Sequence, residues 1–323
     1  MSTPSTPNRI TRIAIVGANG TLGQHITTSL LATHHTITAL TRTRTTTFPP
    51  GVAPIVVDYT SPASLISALE NHQVLIITLS ASAPAETHSL LVSAAAKAGV
   101  EYIIPNAWAW YIPDPHVRAE SIVGDSPLQS IQDVETHGLK WIAVCCSFWY
   151  EYSLSGGYTR EGKDLYGFDW EKKEVWLLDG GERKINTTTW AQVGRAVAAL
   201  LSLDVEGEGG ETLSAFVNRP VRISSFWISQ REMLESVRRV TGEAWAVEHE
   251  GARERYEKAV ARLRGGDRGA FGRAMYSRIF CEDAGREGMF YASLEGCDNE
   301  RLGLPVEDLD EATARAVEIV KGV

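Results

Sequence analysis

Short apolar runs alternate along residues 9–105 with stretches whose apolar side chains recur at helical spacing. Residues 13–16 read as a strand, and 24–33 as a helix with Ile26 and Leu30 on one face. A second strand over 36–40 leads into the polar run 41–47, and a third covers 55–57. Ser61 and Pro62 open a helix that carries Leu65, Ile66 and Leu69. Residues 74–79 form a fourth strand, Glu86–Ala98 a helix closed by Gly99, and Tyr102–Ile104 a fifth strand. Strand–helix alternation at this spacing requires right-handed crossovers, and hence a parallel sheet with helices on both faces.

Downstream the pattern is less regular. A helix over 133–138 runs into a sixth strand at 141–145. Residues 147–179 are rich in aromatics and glycine without a clear period, and predict loops with a short hairpin over Glu174–Leu178 that turns at Asp179-Gly180-Gly181. Residues 187–189 can cap a helix over 190–203, whose apolar face is Val193, Val197, Leu200 and Leu201. A seventh strand is expected over 212–217. Ser224 and Ser225 are expected to cap a helix reaching Val240 and ended by Gly242, followed by a charged helical stretch at 243–270 and a last helix at 308–320.

Composition narrows the class. The chain has 323 residues, 44% hydrophobic and 22% charged, which suits a globular protein with a large core and excludes a disordered or collagen-like chain. No run approaches the ~18 consecutive apolar residues of a membrane span. A net charge of −9 argues against a general grip on nucleic acid or anionic lipid, so an anionic ligand must be held by a local site. Four cysteines, two of them adjacent at Cys145 and Cys146, make no disulfide framework. The Ser/Thr/Pro-rich residues 1–8 read as a flexible tail rather than a signal peptide, so a cytoplasmic protein is expected and the Asn186-Thr-Thr sequon is incidental. A small-molecule substrate and a homodimer are the partners left open, with no nucleic acid and no membrane.

The strongest chemical signal lies between the first strand and first helix, where Gly17, Gly20 and Gly23 are spaced G-x-x-G-x-x-G. Gly17 allows the tight turn, Gly20 the approach of backbone N–H groups to a phosphate, and Gly23 close packing of helix on sheet. Asn19, Thr21 and Leu22 complete this dinucleotide-binding turn. An NAD site usually places an acid about 20 residues further on. Here that position reads Thr41-Arg42-Thr43-Arg44, and a guanidinium fork suits the 2′-phosphate of NADP(H), with Arg42 favoured over Arg44. Asp58, at the end of the third strand, is placed to reach the adenine amine or to cap its own turn. Ser80, Pro105 and Asn106 follow the fourth and fifth strands and join the cofactor set.

No familiar catalytic pattern is present. No tyrosine has a lysine four residues on, and His-Glu-x-x-His, Gly-x-Ser-x-Gly and Cys-x-x-Cys are all missing, so no metal site is expected. Residues 157–163 imitate the start of a P-loop, but Asp164 stands where Ser or Thr is needed. What remains is aromatic. Trp108, Trp110, Tyr111, Phe148, Trp149, Tyr150 and Tyr152 follow the fifth and sixth strands, where ligands of open α/β sheets bind. Trp108, Trp110, Phe148, Trp149 and Tyr152 are expected to line an apolar, ring-shaped pocket, with Tyr111, His116 and Tyr150 as candidate proton donors.

The glycine fingerprint, Thr41-Arg42, and Asp58 leading to Ser64-Leu65 resemble the NmrA-like, isoflavone-reductase-like branch of atypical short-chain dehydrogenases. Tyr102-Ile-Ile-Pro-Asn-Ala-Trp, Phe148-Trp-Tyr-Glu-Tyr-Ser, Lys184-Ile-Asn-Thr-Thr-Thr-Trp, Ser229-Gln-Arg-Glu-Met-Leu-Glu-Ser-Val and Leu302-Gly-Leu-Pro-Val-Glu-Asp-Leu-Asp are similar to the fungal CipA-like oxidoreductases of that branch. The resemblance implies an NADPH-binding α/β Rossmann-type doubly wound parallel sheet with a smaller mixed α/β C-terminal substrate domain. The first would comprise 9–150 plus 183–218, the second 151–182 plus 219–323. Reduction of phenolic or polyketide-like metabolites would be the activity. The chain departs from the family where a catalytic lysine usually precedes the sixth strand, reading Asp125-Ser-Pro-Leu-Gln-Ser-Ile-Gln, and in having Ala107 where a glutamate is common. Three readings follow: an NADPH-dependent reductase of an aromatic or enone substrate, a non-catalytic NADP(H)-binding regulator, and a non-redox isomerase or cyclase.

Overall fold

A computed structural model describes residues 8–44, 47–80, 83–84, 86–157, 165–283 and 294–322. Seven strands form one sheet: β1 (Arg12–Val16), β2 (Thr36–Thr41), β3 (Val52–Val56), β4 (Val74–Ile77), β5 (Tyr102–Ile104), β6 (Lys140–Cys145) and β11 (Arg219–Arg222). Their order is β11-β6-β5-β4-β1-β2-β3 and every pairing is parallel, so the order reverses between β1 and β4. This is the Rossmann-type doubly wound arrangement, and its strand C-termini all open on one edge. β4 and β5 are apolar at every position because both their faces are covered.

One face packs Ile13, Ile15 and Ile76 under α1 (Thr21–Leu31) and α7 (Trp190–Ser202), through Ile26, Leu30, Val193 and Val197. The other packs Ala14, Leu75 and Ile77 under α2 (Pro62–Leu69), α3 (Glu86–Ala98) and α5 (Ser126–Thr136), through Leu65, Leu91 and Val134. The edge strands each carry a central proline, Pro54 in β3 and Pro220 in β11.

A third cluster joins the remaining elements, except for one strand. These are α4 (Pro115–Glu120), β7 (Phe148–Trp149), α6 (Tyr150–Leu154), β8 (Phe168–Asp169), β9 (Glu174–Leu178), β10 (Lys184–Thr188), β12 (Phe226–Ser229), α8 (Gln230–Thr241), β13 (Ala246–Glu250), α9 (Ala252–Arg264), α10 (Ala270–Arg278) and α11 (Leu309–Lys321). They form two three-stranded sheets, β12-β10-β7 and β13-β9-β8, with helices against them; β13 is the strand outside the cluster, attached by its pairing with β9. The last helix docks by polar contacts: Tyr150 and Thr313 hydroxyls meet at 2.7 Å, Arg315 Nε donates to Glu151 at 3.2 Å, and Glu307, just before the helix, receives Arg195 at 2.6 Å and Thr189 at 2.8 Å.

Several expected elements are corrected. Residues 212–217 are not a strand: Leu213 and Phe216 are both fully buried three apart, which is the period of a turn, and they form a 3-10 turn before the true edge strand β11. The helix expected from Ser224-Ser225 starts later. Residues 226–229 pair with β10, and Ser229 caps α8 in a reciprocal capping box with Glu232, the stronger start signal. β9 does form a hairpin, but its antiparallel partner is the preceding β8, so the turn is at 170–173 and Asp179–Gly181 is a 3-10 turn. The helix before β6 begins at Ser126, with Pro127 in its first turn. Residues 246–250 are a strand rather than helix, parallel to β9. The expected tail at 1–8 and the phosphate-loop look-alike at 157–163 lie almost wholly outside the described residues. Asn8 itself is tied down, its Oδ1 accepting from the Glu206 amide at 2.9 Å. Among the described residues no helix is long and apolar enough to cross a membrane.

Candidate active site

The turn from β1 into α1 is built by close backbone approach. Gly17 has φ +81°, and a Cβ there would lie 2.1 Å from the carbonyl oxygen of Thr78, beyond β4. A Cβ on Gly23 would lie 2.1 Å from the Gly17 carbonyl oxygen, so α1 could not settle against the turn. Gly20 differs: its N–H closes the turn onto Gly17 O at 2.8 Å, it is exposed, and its Cβ would meet only Gly17 O, at 3.2 Å. As N-cap of α1 it offers no side chain to the first helical amides. Asn19 and Thr21 are exposed beside it, while the Leu22 side chain is buried and only its backbone faces the turn. This cradle fits a dinucleotide pyrophosphate, whose charge would meet the helix N-terminus.

At the end of β2, Arg42 and Arg44 are exposed and, among the described residues, neither makes an ion pair. The Arg42 charge lies near Tyr59, whose hydroxyl donates to Leu40 O at 3.1 Å; burial raises that phenol to about 12. Asp58 caps its own turn. Its Oδ1 accepts from the Thr60 amide at 2.8 Å and the Thr60 hydroxyl at 2.7 Å, and these bonds hold its carboxyl below the usual range.

The loops after β4 and β5 meet at the same edge. Ser80 is exposed, Pro105 is buried, and Asn106 Oδ1 accepts from the Leu79 amide at 3.0 Å. The Asn106 amide in turn faces Nε2 of His88 at 3.4 Å, and His88 Nδ1 lies 2.9 Å from Asp133. Sequence reasoning missed His88 and Asp133; the signal was a histidine on the buried face of α3, one turn before Leu91 and Val92.

The aromatic set divides. Trp108 is buried and its Nε1 donates to Ile77 O at 2.8 Å. Trp110 is buried, donates to Ser147 Oγ at 3.1 Å and packs edge-on against Phe148 at 4.7 Å. Phe148 lies on Tyr276 at 4.2 Å. These three, expected as pocket lining, are core residues, because each indole N–H is satisfied internally and each ring is enclosed. Trp149 and Tyr152 are half-buried and meet edge-on at 6.4 Å, packed against the sheet-face cluster that includes Leu22 and Trp190. Tyr150, expected as a proton donor, is fully buried with its hydroxyl on Thr313, and burial pushes its phenol far above the ordinary range. The structure thus makes it a packing residue. Tyr111 is half-buried and stacks on Trp141 at 6.3 Å; His116 is exposed on the first turn of α4.

Fold and sequence together define a class. Residues 17–164 match the family model described as NAD(P)H-binding, and the chain is an NAD(P)H-binding oxidoreductase. It is 27% identical over 323 residues to the oxidoreductase aprR of Aspergillus flavus, with 96% of this chain and 99% of that one covered. Its fold is shared with isoflavone reductase (TM-score 0.69, 17% identity, 95% of this chain and 99% of that one). It is shared equally with AtPrR2, solved with NADP+ and (+)pinoresinol (TM-score 0.72, 15% identity, 95% and 98%).

Proposed function

We propose that the chain is an NADP(H)-dependent reductase of an apolar aromatic or enone-type small molecule. The observation that carries this reading is the end of β2: two exposed arginines, neither in an ion pair among the described residues, stand where an NAD site would hold an acid, one strand from the fingerprint turn. Structures similar in fold that hold NADPH or NADP+ support it. Residues 9–150 with 183–218 would hold the cofactor, joined by the edge strand β11 at 219–222 that completes their sheet, and 151–182 with the rest of 219–323 would form the substrate part, to whose sheet β10 contributes.

When bound, the cofactor supplies a hydride from C4 of its nicotinamide. Gly17, Gly20 and Gly23 let the backbone close on the pyrophosphate, with the first-turn amides of Thr21, Leu22 and Gly23 as donors, since the Gly20 N–H is spent on Gly17 O. Arg42, assisted by Arg44, binds the 2′-phosphate by charge-assisted hydrogen bonds. Ser80, Pro105 and Asn106 border the nicotinamide half. Trp149 and Tyr152 present the half-buried aromatic surface for the substrate, while Trp108, Trp110 and Phe148 shape the loops from behind. Tyr111, in the loop after β5, delivers the proton, with His116 as the alternative donor. Orientation and exclusion of water supply much of the rate, so a missing lysine does not by itself abolish turnover.

Titration with NADPH and NADH, following quenching of the nine tryptophans, tests the reading. NADPH is expected to bind at least about tenfold tighter than NADH, and Arg42→Ala to erase most of that ratio. An unchanged ratio in Arg42→Ala refutes the 2′-phosphate assignment. One observation favours a second reading: α5 carries no lysine, and tight NADPH binding with no NADPH oxidation in a broad screen of aromatic enones would make the chain a non-catalytic NADP(H) binder.

A further inference from the structure

His88 has both ring nitrogens engaged, and its partners fix the tautomer. Nε2 faces the Asn106 backbone nitrogen at 3.4 Å, and since that group is a donor, Nε2 accepts. The proton therefore sits on Nδ1, 2.9 Å from Asp133 Oδ2 on α5. Gln129 Nε2 holds the other Asp133 oxygen at 3.3 Å. Asn106 passes the constraint on, because its side-chain oxygen receives the Leu79 amide at 3.0 Å. One file of hydrogen bonds thus runs from α5 through α3 to the loops after β5 and β4. Both loops lie on the edge where the strand order reverses.

We propose that the His88–Asp133 pair positions the cofactor edge: neutral His88 holds Asn106, and through it Leu79, in the arrangement that receives the nicotinamide half of NADP(H), and protonation at Nε2 releases them. The inference rests on the cofactor role proposed for these loops. A protonated Nε2 would point a donor at the Asn106 donor, and the file would break at that joint. Among the described residues Asp133 is the one charge acting on the ring. α2, β4 and β5 carry no charged residue, Tyr111 and Asp114 are the titratable groups of the β5 loop, Asp114 being engaged by the amides of His116 and Val117, and Glu86 and Lys97 on α3 are exposed. Glu135 on α5 is engaged by Trp141 Nε1 at 2.9 Å. Burial lowers the His88 pKa and Asp133 opposes that shift. His88 is a positioning residue, since buried and doubly bonded it is withheld from substrate.

The test compares the ratio of NADP+ affinities at pH 7.5 and pH 5, by calorimetry, in wild type, His88→Gln and Asp133→Asn. Glutamine carries an acceptor oxygen but cannot titrate, so the acid loss in wild type should exceed that in His88→Gln by about tenfold, the worth of one lost hydrogen bond to a loop. Asp133→Asn removes the group that raises His88, so its acid loss should set in at lower pH. Ionisation of the 2′-phosphate is common to all three and cancels. Three superimposable profiles overturn the proposal. Amide exchange at Leu79 and Asn106 in cofactor-free protein gives an independent arm: acid should strip protection in wild type and spare it in His88→Gln. If wild type binds no NADP+ at either pH, the cofactor reading fails, and this arm alone decides the file. Identical exchange in the two proteins would then overturn it.

Discussion

Replacing Gly20 with alanine separates what the cofactor demands of the fingerprint turn from what the fold demands. At Gly17 and Gly23 an added Cβ runs into backbone at 2.1 Å, so those substitutions injure the fold before they can report on a ligand. Gly20 has φ −75° and ψ 164°, a conformation alanine adopts without strain, and its Cβ would have to gain only a few tenths of an ångström from Gly17 O at 3.2 Å. Losing glycine from an N-cap costs a few tenths to about 1 kcal/mol, and reduced freedom of the unfolded chain returns about 0.4–1 kcal/mol. The net change in stability should be under about 1 kcal/mol, or no more than about 3 °C in Tm. A pyrophosphate drawn to the same amides has no room for the methyl. Loss of even one charge-assisted hydrogen bond, at about 1.5–3 kcal/mol, weakens binding by about 10- to 150-fold. Thermal unfolding and NADPH titration on the same preparation read both quantities. A Gly20→Ala protein that keeps its Tm and binds NADPH within threefold of wild type would refute the claim that this turn closes on phosphate.

Other expectations follow from the placement of particular side chains. On a substrate found by screening, Tyr111→Phe should lower kcat by about 100-fold, whereas exposed His116→Ala should not; full turnover in both would remove both as donors. Tyr150→Phe should cost about 1 kcal/mol of stability through the lost Thr313 contact and leave the pH profile of turnover unmoved, which a proton donor could not do. His25, His35, His72 and His88 are all held below 6.5, chiefly by burial. The folded chain then binds fewer protons than the unfolded one in mild acid. Stability present above pH 6.5 should be lost as pH falls through these depressed values, and urea unfolding at pH 7.5, 6.5 and 5.5 reads the slope. A flat response would contradict the burial of these rings.

The first six strands and the fingerprint were legible because each is a local pattern: apolar runs between turn residues, and glycines at fixed spacing. Errors began where long-range pairing decides. Nothing local marks 226–229 as a strand; its partner is β10, some forty residues earlier, and the capping box at Ser229 is visible only as a helix start. The aromatic cluster misled for a related reason. Trp108 and Trp110 lie two apart in one loop yet enter different cores, each tethered by an indole N–H to a residue more than thirty positions away, so composition could mark the loop but not the exposed rings. The charge logic of the second strand end needed no such partner: the residues after Leu40 lack an acid whatever the packing.

The prolines in the two edge strands bear on how the molecule lives among copies of itself. Pro54 and Pro220 sit at the middle of β3 and β11, where each removes an amide from the strand that would greet a newcomer. β3 also exposes Ile55 and Val56, the sticky combination that tempts a second sheet to add on. With an interrupted ladder at both margins, the sheet is closed to continuation in either direction. Crowding can then bring copies together through other surfaces, but not by zipping one sheet onto the next, which is the route by which an exposed apolar strand most readily turns into an aggregate.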